Sequence, residues 1–112
     1  MATTIKNAIL LHNKDTEIAV GTEGNELVMV FKSDEAVLTE TFHIAQEGHP
    51  DDYKISTISA NFNQGELVMN ESWVDKEAFA KAIRNRAEDY VASFTDNDKA
   101  VNLIRDYIEK LG

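Results

Sequence analysis

Residues 66–94, ELVMNESWVDKEAFAKAIRNRAEDYVASF, contain the change of period on which the fold turns. Glu66 to Val74 reads as a strand. From Asp75 onward Phe79, Ile83, Ala87, Tyr90 and Phe94 recur at spacings of four, four, three and four, which lines one face of a 3.6-residue helix. Lys76, Lys81, Arg84, Asn85, Glu88 and Asp89 fill much of the remainder, as a solvated face requires. Ser72 or Asp75 is placed to cap the first free N–H groups, and Asp75 and Glu77 suit the positive end of the helix dipole. The spacing predicts a helix from Asp75 to Phe94 that lies over the core.

Working back toward the start, the chain is a series of short strands divided by turn signals. Asn63-Gln64-Gly65 precedes Glu66, and Tyr53 to Phe62 is the strand before it. Ile58, Ala60 and Phe62 take one face of that strand, and Tyr53, Ile55, Thr57 and Ser59 the other. Gly48-His49-Pro50-Asp51-Asp52 is the strongest breaker and carries the only proline. Ala36 to Ala45 places Leu38, Glu40, Phe42 and Ile44 on one side and Val37, Thr39, Thr41 and His43 on the other. Glu26 to Lys32 is apolar on both faces, which predicts a central strand covered on both sides. Glu23-Gly24-Asn25 forms a hairpin connection in which Gly24 and Asn25 both tolerate positive φ. Thr16 to Thr22 precedes it. Thr4 to His12 also fits a helical face, but the Asn13-Lys14-Asp15 turn that follows favours a strand.

Beyond Phe94, Thr95 is the expected cap of a second helix, with Asp98 in a capping-box position. Val101, Ile104, Ile108 and Leu111 form its apolar stripe, and Gly112 stands where a glycine would end it. Strands first and helices last predict an α+β fold. It is an antiparallel β-meander of about six strands followed by two C-terminal helices packed on one face of the sheet. The 112 residues, 43% hydrophobic, suffice for a single domain, 1–112, strand-rich over 1–74 and helical over 75–112.

Composition narrows the chemistry. Cysteine is absent, so no disulfide framework or thiolate is available. Met1-Ala2-Thr3-Thr4 lacks the basic start of a signal peptide, and the apolar run Ala8 to Leu11 is too short to span a bilayer. A cytoplasmic protein without membrane contact is the expectation. His43, His49, Asp51 and Asp52 match no standard zinc spacing. Asp96-Asn97-Asp98 lacks the glycine and the glutamate of a calcium loop, with Val101 and Tyr107 in their places. The serines lack a nucleophile-elbow sequence, and Gly21 and Gly24 are too sparse for a phosphate cradle. No catalytic set, metal site or cofactor is therefore expected. Lys81, Arg84 and Arg86 are followed by Glu88 and Asp89, which makes a solvated face rather than a nucleic-acid footprint. Trp73 suits either of two places, a partner anchor or the filler of the junction between sheet and helix.

Charge is the distinctive feature. Residues 1–74 hold 4 Lys/Arg against 12 Asp/Glu, a net of −8, while residues 75–112 hold 7 against 8, a net of −1. Such a field repels nucleic acid and membranes and attracts basic surfaces. The expected function is a small acidic, non-enzymatic protein-binding module of inhibitor, immunity or nucleic-acid-mimic type. Its expected contacts with a basic partner are Glu23, Glu26, Asp34, Glu35, Asp51, Asp52 and Trp73. The alternative is a subunit or accessory component of a larger assembly, phage or viral assemblies included. A small-molecule-binding or enzymatic domain comes third. The oligomeric state stays open, a homodimer included.

Overall fold

The computed structural model describes residues 6–44 and 53–111. Six strands, β1 (Lys6–His12), β2 (Thr16–Glu23), β3 (Glu26–Ser33), β4 (Ala36–Ile44), β5 (Tyr53–Asn61) and β6 (Glu66–Val74), form one antiparallel sheet in sequence order. Two helical segments follow: α1 (Lys76–Arg86), extended by a π-helical turn over Ala87–Val91, and α2 (Asp98–Glu109). This is the α+β meander expected from the alternation. The doubtful first segment is a strand, paired from Ile9↔Val20 to His12↔Glu17. No helix of the described residues is long and apolar enough to cross a membrane.

Strand pairing sorts the side chains into two faces, because paired residues point the same way. One face carries Ile18, Val20, Leu27, Met29 and Phe42, all nearly inaccessible to solvent. Both helices pack there. Phe79 meets Phe42 edge-on at 5.8 Å and Tyr53 at 4.9 Å, and Phe31 stacks on Tyr90 at 4.8 Å. Ile83, Val91, Phe94, Ala100, Ile104 and Tyr107 complete the core.

Local chemistry sets the helix boundaries. Asp75 caps α1, its carboxylate accepting from the Ala78 N–H at 2.8 Å. Near its end the helix widens, with the Ala92 N–H donating to the Ala87 carbonyl at 3.0 Å. That turn lets Tyr90 reach Phe31 while Val91, absent from the expected stripe, becomes fully buried. The second helix begins later than expected. Thr95 does not cap it. Asp96 takes φ 55°, and Asn97 is the cap residue, its amide donating instead to the Val91 carbonyl at 3.0 Å. The buried residues of α2 are Ala100, Ile104 and Tyr107, so the stripe is centred one residue away from Val101 and Ile108. Gly112 lies outside the described residues.

At the β2–β3 hairpin only Gly24 adopts positive φ, at 58°, while Asn25 does not. β3 is central but is covered by helices on one face only. On the other, Val28 is buried and Val30 is half-buried.

Candidate functional site

The meander places its turns alternately at two ends of the sheet, and this divides the acidic residues. The β1–β2, β3–β4 and β5–β6 hairpins share one end, where Asp15, Asp34, Glu35 and Glu66 are exposed. In each of these hairpins an uncharged side chain satisfies the main-chain N–H groups. Asn13 Oδ1 accepts from the N–H groups of Asp15 and Thr16 at 3.3 and 3.1 Å. Ser33 Oγ accepts from Glu35 and Ala36, both at 3.3 Å. Asn61 Oδ1 accepts from Asn63 and Gln64 at 2.9 and 3.3 Å. The turn carboxylates are therefore not needed to hold the turns. None of the four has a basic side chain within ion-pair distance among the described residues. Lys14 and Lys32 are the cations of this end, against these four acids and Glu17.

Glu23 and Glu26 stand at the opposite end, seven β3 positions from Ser33, or about 23 Å away at 3.3 Å per residue. The expected contact set is therefore not one patch. Pairing instead runs Glu23↔Glu26↔His43↔Lys54↔Trp73 in a single row across five strands. Within it Glu26 Oε1 lies 3.3 Å from His43 Nδ1, which is shielded from solvent and lacks a hydrogen bond of good geometry. Lys54 Nζ sits 5.8 Å from the centre of the Trp73 ring and 3.4 Å from Glu71. Trp73 does not fill the junction between sheet and helix. It is 42% exposed on the face opposite both helices, because Val74, the next residue in β6, is the one paired with Tyr53 and turned to α1. Asp51 and Asp52 lie outside the described residues, as does His49.

Sequence reasoning missed a second charged feature, on the helical side. Glu40 is 5% exposed, and its Oε1 meets Arg86 Nε at 2.6 Å. Arg86 also donates to the Tyr90 hydroxyl at 3.3 Å and lies against that ring. Arg86 thus belongs to a packed ion pair rather than to a solvated patch with Lys81 and Arg84. Burial pushes the Glu40 carboxyl above its ordinary range, and Arg86 opposes the shift without cancelling it. The alternation in β4 had placed Glu40 among Leu38, Phe42 and Ile44, which was the available sign of a buried acid. Tyr107 is likewise displaced upward, first by burial and then by the charge of Glu26.

Among the described residues three grooves are open enough for a small molecule. One, about 510 Å³, lies between β1–β2 and α2 and is lined by Ile9, Thr22, Leu103, Asp106 and Lys110, among others. The second, about 430 Å³, lies between the helices around Ala87, Val101, Ile104 and Ile108. The third, about 440 Å³, lies where Lys76, Ala80 and Lys81 of α1 meet Ile108 and Leu111. None assembles a nucleophile, a base and an orienting group from the described residues. No trio of His, Asp or Glu among the described residues is arranged to hold a metal ion.

The remaining surface of note is the sheet face opposite the helices. Pairing runs Leu10↔Ala19↔Val30↔Thr39↔Ile58↔Met69 straight across all six strands. Leu67 and Trp73 share this face, with Leu10, Leu67 and Met69 each more than 60% exposed. No protein-family model, curated protein or solved structure matches the chain.

Proposed function

We propose that this protein is a small acidic, non-enzymatic binding module, of inhibitor or antidote type, that docks on a basic protein surface. The observation supporting this reading is the hairpin end of the sheet. There Asn13, Ser33 and Asn61 hold the turns, while Asp15, Asp34, Glu35 and Glu66 project carboxylates with no ion-pair partner among the described residues. Side chains at hairpin tips reach a partner without burying a strand face, so a basic cleft can accept them at little cost in desolvation. Glu23 forms a separate patch at the other end. Glu26 stands beside it in register, its Oε1 3.3 Å from His43 Nδ1.

Complementary charge acts mainly on the rate of encounter. The test recovers binding proteins from cell extract at low salt and measures association of each with the purified chain. Replacing Asp15, Asp34, Glu35 and Glu66 by Asn or Gln is expected to slow association about tenfold or more, and added salt to do the same. The fold should be unchanged by circular dichroism. Kinetics indifferent to salt and to the replacements would reject the reading.

A further inference from the structure

We infer that two copies of this chain associate through the open faces of their sheets, back to back, with the helices outermost. The inference rests on the apolar face and is independent of the acidic hairpin end. Of the seven large apolar residues exposed on the described surface, Leu10, Ile58, Leu67, Met69 and Trp73 are assigned to this one face by the strand pairing. The Phe62 N–H donates to the Glu35 carbonyl at 2.8 Å, which continues the ladder and brings Phe62 to the same side. Solvent-exposed apolar side chains scattered singly are ordinary, but a continuous field of them on one face marks a contact surface.

Area and charge together select a second copy as the occupant. Strands of 7 to 9 residues at about 3.3 Å per residue, six of them about 4.8 Å apart, make a face of roughly 700–800 Å². A stable interface needs about 800 Å² from each partner. Two such twisted sheets pack aligned, about 10 Å apart, and a twofold interface asks only that the surface complement itself. The charged groups of the face are largely matched within it. Lys54 faces Glu71 at 3.4 Å and Lys32 is paired in register with Glu17, and the acids left over, Glu23 and Glu26, stand at the β2–β3 hairpin end of the face. A face balanced in this way offers little to a strongly basic partner. It also lacks the excess cations by which an apolar surface docks on anionic lipid. The unmatched acids sit at the hairpin tips, on the perimeter of the contact.

The experiment is sedimentation equilibrium on the full chain, with Leu10→Lys and Met69→Lys as variants. Both residues are more than 60% exposed and occupy opposite edge strands, so neither change removes core packing. The expected result is twice the 12.6 kDa chain mass, undiminished by added salt, with each variant raising the dissociation constant about tenfold or more. A 12.6 kDa species at all concentrations up to about 100 µM would overturn the inference. So would a dimer broken by Met69→Lys and untouched by Leu10→Lys, which would mean pairing of β6 edges instead. Since salt weakens the acidic contact proposed above and leaves this one intact, failure of either leaves the other standing.

Discussion

The hydroxyl of Tyr107 lies 2.7 Å from the main-chain oxygen of Asn25, joining the last helix to a hairpin 82 residues earlier. The same hydroxyl is 2.9 Å from the Phe42 carbonyl, so one buried oxygen serves α2, the β2–β3 turn and β4. Tyr107→Phe keeps the ring and leaves those carbonyls short of a donor. The expected loss is about 1–2 kcal/mol, softened because Asn25 still accepts from the Ile44 N–H at 3.2 Å. Tyr107 ionises less readily in the folded chain than in the unfolded one, so the unfolded state holds fewer protons once pH passes 10.0. Stability is therefore complete below that pH and declines above it. Thermal melts from pH 9 to 11 check this, and the alkaline decline should be reduced in Tyr107→Phe.

The buried pair of Glu40 and Arg86 carries a second pH dependence. A carboxyl raised above 4.5 in the folded state keeps its proton longer there than in the unfolded chain. Its contribution is fully present below pH 4.5 and falls as pH rises through the folded value. Glu40→Gln should accordingly match the parent near pH 4 and melt higher than it at pH 7. Arg86→Ala should do the reverse, costing little in acid. At neutral pH it should cost toward the lower end of about 3–5 kcal/mol, since the Arg86 side chain is itself 36% exposed. Equal effects of Arg86→Ala at both pH values would show that the side chain matters for packing alone.

Phe79 touches the rings of Phe42, Tyr53 and Tyr107 and is completely buried. Phe79→Ala should cost about 3–5 kcal/mol, measured by urea unfolding. An unchanged midpoint would mean that α1 does not cover the core.

Asp75 ends β6 and begins α1 with a single side chain. Asp75→Ala removes the acceptor for the Ala78 N–H and should cost about 1 kcal/mol, while Asp75→Asn should cost less. Matching losses from both substitutions would point to the charge rather than the hydrogen bond.

Alternation carried most of the sheet. Glu66–Val74 begins and ends where the pattern placed it, and the sorting of Leu38, Glu40, Phe42 and Ile44 from Val37, Thr39, Thr41 and His43 matches the observed faces. Period two separates two faces without saying which one the helices cover. That is why Trp73 and Met69, both apolar, gave no sign of standing on the open side. Val91 and Arg86 were obscured by the π-helical turn, which breaks the 3.6 spacing at the point where both turn inward. The split of Glu23 and Glu26 from Asp34 and Glu35 follows from strand length, and acidity along a sequence carries no such geometry.

The order of the elements sets a timetable for synthesis. Each strand of the meander pairs with the one made just before it, so the sheet can assemble as the nascent chain leaves the ribosome. The surface bearing Leu27 and Phe42 must wait for Phe79, Ile104 and Tyr107. At about 5–20 residues per second, roughly 3–13 s separate the making of Ile44 from that of Tyr107. During that interval a newly made sheet is bare on both sides, which is the condition under which chaperones engage. Chains stalled before Phe79 emerges should be held by nascent-chain chaperones and cut readily by protease, and chains stalled on a C-terminal linker that lets Tyr107 emerge should escape both. Equal protection at the two stall points would show that the sheet shields itself.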